Sequence, residues 1–432
     1  MKHTLFVFLL ASLPFSQPSA FSQTSDTDPK QSMRTVRDLA KQGQDSLPKL
    51  APYVTDQDLG VRIEAVKALI QIGGPKTLDM LVQAAGDNDP EIQIRATDGL
   101  VNVYLPGFVK SGISGSLHRV GNSVAAKFTD TDDQIIDAYV MVRPDVIMVL
   151  GKLARGGASL ESRANAARAV GILRGRAAIP DLIEALHSKD DRLMYESLIA
   201  LQKIRDPSVA PRIGFVVHDL NDRIQITALE TVGLLRDRGA GGDVRDVMDH
   251  ARNIKIRRAA LEALADIADP MDRAVFTRYL NDKDESLRAS AAEGLGRLHM
   301  PEDRAAVEKA FTDEHSMSPR LAGAFAVVDL GNLDTSQFSA LRYLVNALNQ
   351  RVYRGVAVAY LTELTRTEAV RQAIYPLLSN ATKDEKIQMS IVLSLSGNKD
   401  SLPYLQTISM DSDSEVAEQG LRGLKTLRAR LP

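Results

Sequence analysis

The 432-residue chain contains no cysteine and no tryptophan, and only 5% of it is aromatic. Without cysteine there can be no disulfide framework, zinc-thiolate site, iron–sulfur cluster or cysteine nucleophile. With so few aromatics, the core must be assembled from Ala, Val, Ile and Leu. An excess of either charge is missing too. Lys and Arg total 53 against 55 Asp and Glu, a formal net charge of −2, which excludes a polybasic nucleic-acid arm or a strongly acidic tail as a defining feature. No apolar run reaches the ~20 residues that a membrane-spanning helix needs. What remains, 44% hydrophobic and 25% charged, is the composition of a soluble folded protein.

The longest apolar run lies at the N-terminus. Met1-Lys2-His3 precede an apolar stretch over residues 5–13, then Pro14 and a small-residue region ending in Ala20 and Ser22. A short basic start, an apolar run of this length and small residues at its end describe a secretory signal peptide over 1–22. Cleavage is expected after Ser22, with a cut after Ala20 as the alternative. The mature chain is then exported, periplasmic or extracellular, with no integral membrane segment. Residues 23–33 are polar and predict a disordered lead-in.

The rest of the chain is repetitive. Asp56-Gln-Asp-Leu-Gly-Val-Arg-Ile-Glu-Ala-Val-Lys-Ala-Leu-Ile-Gln-Ile-Gly73 places Ala65, Leu69 and Ile72 at offsets 3, 7 and 10 from Arg62, one face of a helix. The pattern returns around Arg163, Arg257 and Arg288, and more weakly around Gln93, Met194, Gln225, Arg320, Arg354, Gln388 and Ala417. From 163 onward the anchors are 29 to 34 residues apart. Between copies lies a second apolar segment such as Ile179-Pro-Asp-Leu-Ile-Glu-Ala-Leu186, whose proline suits the start of a helix. Asp58, Asp89, Asp284 and Asp413 stand where helix N-caps belong. One helix pair cannot bury its apolar face alone, whereas stacked pairs can. The expectation is an all-α solenoid of about eleven antiparallel helix pairs over 34–432, a curved rod on the order of 100 Å long.

The motif Asp-x-Asp-x-x-Val-Arg-x-x-Ala-x-x-Ala-Leu-x-x-Ile-Gly resembles the HEAT-like repeat typified by the phycobilin lyases. The resemblance covers nearly all of residues 50–428. It implies that Arg62, Arg163, Arg257 and Arg288, with Asp58, Asp89, Asp284 and Asp413, form a structural ladder between repeats, interrupted at Met194 and Ala417. It also implies that the second helix of each pair lines the concave side, which would place Arg212, Arg245, Arg278, Tyr279, Arg342 and Tyr343 there as candidate partner-binding residues. Arg273 and Arg371 belong to the same set, with Tyr353 and Tyr360 as further aromatic anchors.

One segment breaks the period. Gln93 and Arg163 are 70 residues apart, and residues 104–142 interrupt the helix pair of the second repeat. The insertion carries Phe108, Lys110, His118, Arg119, Lys127 and Phe128, followed by an acidic half with Asp130, Asp132, Asp133 and Asp137. Long loops in compact arrays are functional or are tolerated insertions. Both readings stand here: a partner-docking flap, or a small hairpin tucked over the second repeat.

Catalytic signals are sparse. The seven histidines form no His-Glu-x-x-His pair. His187 and His218 recur at similar places, as a repeated solvent-facing helix-end residue would. Deoxyhypusine hydroxylase, a HEAT-like enzyme, holds its iron pair through His-Glu dipeptides, and this sequence contains none. Gly239-Ala-Gly-Gly242 follows no strand and reads as a turn, and no nucleophile elbow occurs. No cofactor or metal is implied, and near-neutral charge with few aromatics disfavours nucleic acid. The leading expectation is a non-enzymatic scaffold binding a protein or peptide along its concave face. The rivals are a HEAT-like enzyme or enzyme accessory (lyase-like, or a metal-dependent oxidoreductase) and a self-associating structural component of the envelope.

Overall fold

The computed structural model describes residues 28–109, 134–137 and 139–431. The signal segment 1–22 and the insertion residues Lys110, His118, Arg119, Lys127 and Phe128 lie outside the described residues. Among the described residues there are twenty-three α-helices and no strand. One layer, A, comprises α1 (Pro29–Lys41), α3 (Leu59–Ile72), α5 (Pro90–Tyr104), α7 (Leu160–Ile172), α9 (Asp191–Ile204) and α11 (Asp222–Leu235). It continues with α13 (Ile254–Ile267), α15 (Glu285–Arg297), α17 (Met317–Asp329), α19 (Arg354–Leu364), α21 (Lys383–Ser396) and α23 (Ser414–Arg430). The other layer, B, alternates with it: α2 (Leu47–Val54), α4 (Leu78–Ala85), α6 (Pro144–Gly156), α8 (Ile179–Ala185), α10 (Ala210–Ile213) and α12 (Gly241–His250). Its last members are α14 (Arg273–Tyr279), α16 (Arg304–Asp313), α18 (Ala340–Ala347), α20 (Glu368–Ile374) and α22 (Leu402–Ser409). The fold is an all-α solenoid.

Helix starts follow local chemistry. Asp58, Asp89, Asp190, Asp284 and Asp413 accept backbone N–H groups at the heads of α3, α5, α9, α15 and α23. Asp28 does the same for α1, with Pro29 at the first helical position. This cap moves the boundary expected at residue 33: residues 29–33 are the first turn of α1, not part of a lead-in. Because α1 and α2 form a pair of their own, the insertion between α5 and α6 falls in the third pair, not the second. At the other end α23 has no B partner in the described chain.

The layers differ in how tightly they pack. From α7 to α17 the A helices pack closely on their A neighbours, while from α8 onward B helices meet one another only sparsely. Small residues permit the close approach. A Cβ on Gly171 would lie 2.7 Å from the Ala200 Cα, one on Gly233 2.8 Å from the Ala263 Cα, and one on Gly296 2.7 Å from the Ala326 Cα. A stack that is close on one side and splayed on the other must curl toward the close side.

The curl is tight enough for distant repeats to meet. Arg236, at the end of α11, bonds Glu363 of α19 at 2.6 Å, and Arg422 of α23 bonds Asp137, beside α6, at 2.7 Å. One expectation is thereby extended and another corrected. The curved rod closes into a curl, and the A layer, not the B layer, lines its inner side. From α7 to α23 about eight steps of roughly 10 Å complete the turn, which leaves about 15 Å between facing helix surfaces, a width that paired long side chains can span.

Gly296→Leu tests this origin of the curl. The added side chain must push α15 and α17 apart, at a cost of about 1–3 kcal/mol. The thermal midpoint should fall and the radius of gyration, read by small-angle scattering, should rise; an unchanged radius would locate the cause of curvature elsewhere.

Candidate functional site

In several A helices the polar residue at the fourth position bonds the preceding loop. Arg62 donates to the Asp56 and Gln57 carbonyls, Arg288 to those of Asp282 and Lys283, Arg257 to Ala251 and Arg163 to Ala154. Arg62 and Arg288 also reach the next repeat, to Asp87 and Glu314. In α21 this place is taken by Lys386, bonded to Asp411 at 2.7 Å, and not by Gln388, because the Thr382–Glu385 capping box starts the helix earlier than the period suggests. A second ladder went unnoticed in the sequence. Asn221 donates to Asp191, Asn253 to Asp222 and Ser316 to Glu285, each linking one helix head to the next. Its signal was the recurrence of Asp or Glu at the first helical position.

Most candidates on the B layer are occupied with structure on the outer side of the curl. Arg245 pairs with Asp269 and Asp272, Arg273 with Asp303, and Arg371 caps the Thr365 and Arg366 carbonyls. Tyr343 sits between Phe311 and the Arg320 guanidinium, its hydroxyl on the Met317 sulfur. Phe108, Tyr279 and Tyr353 are half-buried against the core. Arg278 is exposed and Arg342 half-exposed. Arg212 lines an outward depression of ≈ 670 Å³ with Arg155, Arg163, Glu184 and His187, and His187 stacks on Phe215 at 4.7 Å. The insertion ends converge: the Arg143 amide donates to the Tyr104 hydroxyl, and the Ile136 amide to the Ile172 carbonyl.

The inner side of the curl holds the densest charge. Glu363 on α19 accepts Arg236 at 2.6 Å and Arg297 of α15 at 2.9 Å. Arg297 also reaches Glu293 at 2.9 Å and Asp266 of α13 at 3.2 Å, and lies over the Phe325 ring. Tyr360, placed by sequence among the free aromatic anchors, is buried here, donating to Glu293 and stacking on Phe325. Its neighbours on α19, the buried Ala357, Leu361 and Leu364, carry it inward.

These surroundings split the carboxyls. Burial pushes Glu363 up, but the Arg236 hydrogen bond and the Arg297 charge outweigh it and hold the group at about 2. Enclosure by the curl, then the charges of Glu293, Asp266 and Glu230, push Glu262 up to about 8, although its side chain still meets water. Burial also raises Glu293, Asp266 and Asp329. Glu230, Glu262 and Glu293 recur at the repeat spacing on α11, α13 and α15, a pattern the sequence displayed but whose inward direction only the curl reveals. No group of three or more His, Asp or Glu among the described residues is placed to hold a metal ion, and no described helix is long and apolar enough to cross a membrane.

The sequence matches HEAT repeats over residues 18–101, 147–233 and 243–327, more than half of the chain. Among solved structures, an engineered protein is similar at 18% identity over 94% of this chain and 97% of its own, with a TM-score of 0.35. YibA from Escherichia coli is similar at 14% identity over 69% of this chain and 96% of its own, TM-score 0.39. The complex of CpcE and CpcF of phycocyanin lyase from Nostoc sp. PCC7120 is similar at 16% identity, 62% and 92% coverage and a TM-score of 0.33. No curated protein matches the sequence.

Two substitutions separate the roles of these carboxyls. A raised folded-state pKa contributes stability that is complete below the unfolded value and is lost as pH rises through the folded one. Glu262→Gln should therefore raise the melting temperature at pH 8.5 and leave it nearly unchanged at pH 5; the reverse order would contradict the like-charge cluster. Glu363→Ala removes a partner from two arginines and should cost roughly 2 kcal/mol at pH 7, measured by urea denaturation, with the loss shrinking as pH falls toward about 2.

Proposed function

The chain belongs to the family of HEAT-repeat proteins, and from that membership we propose that it is an exported, non-enzymatic scaffold that binds a protein or peptide partner. HEAT-repeat solenoids commonly bind proteins, using surface contributed by several repeats. The observation that supports this reading most directly is the inner side of the curl. It presents water-open side chains of both signs, Glu230 and Glu262 as well as Arg205 and Arg366, from repeats far apart in sequence. Such a surface suits an extended segment with its own charge pattern. Export rests on the N-terminal pattern over residues 1–22. An enzymatic reading has one feature in its favour, the raised Glu262 carboxyl open to water, and metal and chromophore analysis of purified protein decides it.

Crosslinked affinity capture from an envelope extract tests the scaffold reading. The baits are the mature chain and a version with residues 106–141 replaced by a short glycine–serine turn. A partner held by both baits locates binding on the solenoid. A partner lost from the shortened bait makes the insertion the docking element, and no partner with either removes the scaffold reading. The intact mass of the exported protein should correspond to a chain beginning at Gln23; retention of Met1 would remove export.

A further inference from the structure

At the end of several A helices the chain turns through a left-handed residue, the place where glycine is favoured because it has no Cβ to clash. Here the residues are Arg174, Arg205 and Arg236, with φ of 50°, 55° and 55°, followed by Ala268 and His299 at 51° and 52°. Ala268 shows that the turn itself does not require arginine; what the three arginines add is a positive charge at each of three successive helix ends. The curl then brings further arginines to the same rim. The Arg236–Glu363 bond pins the end of α19 against the end of α11, so Arg366, three residues beyond Glu363, faces the side of Arg205. Thr365 bonds Ser396 at 2.6 Å, joining the ends of α19 and α21, and Arg430 of α23 donates to the Ser394 carbonyl at 2.7 Å.

Of these arginines Arg236 is neutralised, by Glu363 and by Asp266. Arg174, Arg205 and Arg366 make no side-chain hydrogen bond or ion pair among the described residues, and with Arg430 they are open to water. Enclosure by the curl lowers Arg174, Arg205 and Arg430, helped by the charges of Arg205 on the first, of Arg366 and Arg236 on the second, and of Arg366 on the third. Asp266 opposes the effect at Arg205 but is shared with Arg236 and Arg297. Arginines that merely offset helix dipoles would donate to nearby carbonyls, as Arg430 does; Arg174, Arg205 and Arg366 do not.

We propose that Arg174, Arg205, Arg366 and Arg430 form a binding site on the inner rim for an acidic segment of a partner protein, its carboxylates taking the place of the missing counter-charges. The inference rests on the scaffold reading and names the chemistry of the partner. Composition favours a peptide over a nucleic acid: the site is made of four arginines with no aromatic residue among them to stack a base, and the chain as a whole is near-neutral.

The test uses the mature chain, wild type and Arg205→Gln/Arg366→Gln, with a fluorescein-labelled peptide containing four consecutive glutamates and its all-glutamine counterpart. Anisotropy should show salt-sensitive binding of the glutamate peptide only, weakened at least tenfold in the double variant. Without peptide, the double variant should melt at the same temperature as the wild type or higher, because two crowded like charges have been removed. A lower melting temperature with unchanged peptide affinity would make the arginines structural and overturn the site. Tighter binding of an oligothymidylate of equal charge would overturn the peptide assignment. Partner capture by the double variant as efficient as by the wild type would sink this site while leaving the scaffold reading intact; peptide binding with no captured partner would do the opposite.

Discussion

The spacing of neighbouring A helices governs this molecule. Where Gly171, Gly233 and Gly296 meet Ala200, Ala263 and Ala326, backbones approach as closely as side chains permit, and the B layer cannot match that approach. The difference between the layers sets the radius of the curl, and the radius decides which side chains can touch across it. Arg236 and Glu363 are 127 residues apart in sequence, and nothing local brings them together. They meet because each step of the stack turns the next helix by a similar amount, a repeated small rotation of the kind that shapes repeat proteins generally.

Once formed, the inner side is an unusual electrostatic environment. Long charged side chains crowd a space about 15 Å across, where water is present but protein surrounds each group. Pairs that meet well, such as Glu363 with Arg236 and Arg297, stay ionised. Carboxyls with like neighbours, such as Glu262, are pushed toward the neutral form. Buried ion pairs of this kind contribute little net stability compared with apolar packing, because desolvation offsets their attraction. What they depend on is curvature, which brings α11 and α15 within reach of α19.

Much of the architecture was legible in the sequence because it is local. Asp58, Asp89, Asp284 and Asp413 cap helices through contacts within three residues, and the 31-residue recurrence follows from stacking like on like. The helices that flank the insertion end at Tyr104 and begin at Pro144. Which layer faces inward was not legible. Both layers carry an apolar stripe, and the deciding contact pairs a glycine with an alanine some thirty residues later, so neither residue signals it alone. Tyr360 is hidden for the same reason, because its partner Glu293 lies two A helices back, on α15, and only curvature brings it near. The period points to Gln388 because it locates a helix only to within a residue or two, whereas the Thr382–Glu385 capping box fixes where the helix starts and puts Lys386 at the fourth position.

The closure also bears on how such a chain can change in length. An open solenoid gains or loses a repeat by duplication or deletion with little effect on the remaining interfaces. Between α11 and α19 this one has no such freedom. One unit more or fewer would displace Glu363 by a full step of roughly 10 Å, beyond the reach of Arg236 and Arg297, and would leave both arginines facing the wrong helix. The number of units in that arc is therefore fixed like the size of a chemical ring, and growth of the array is confined to its ends.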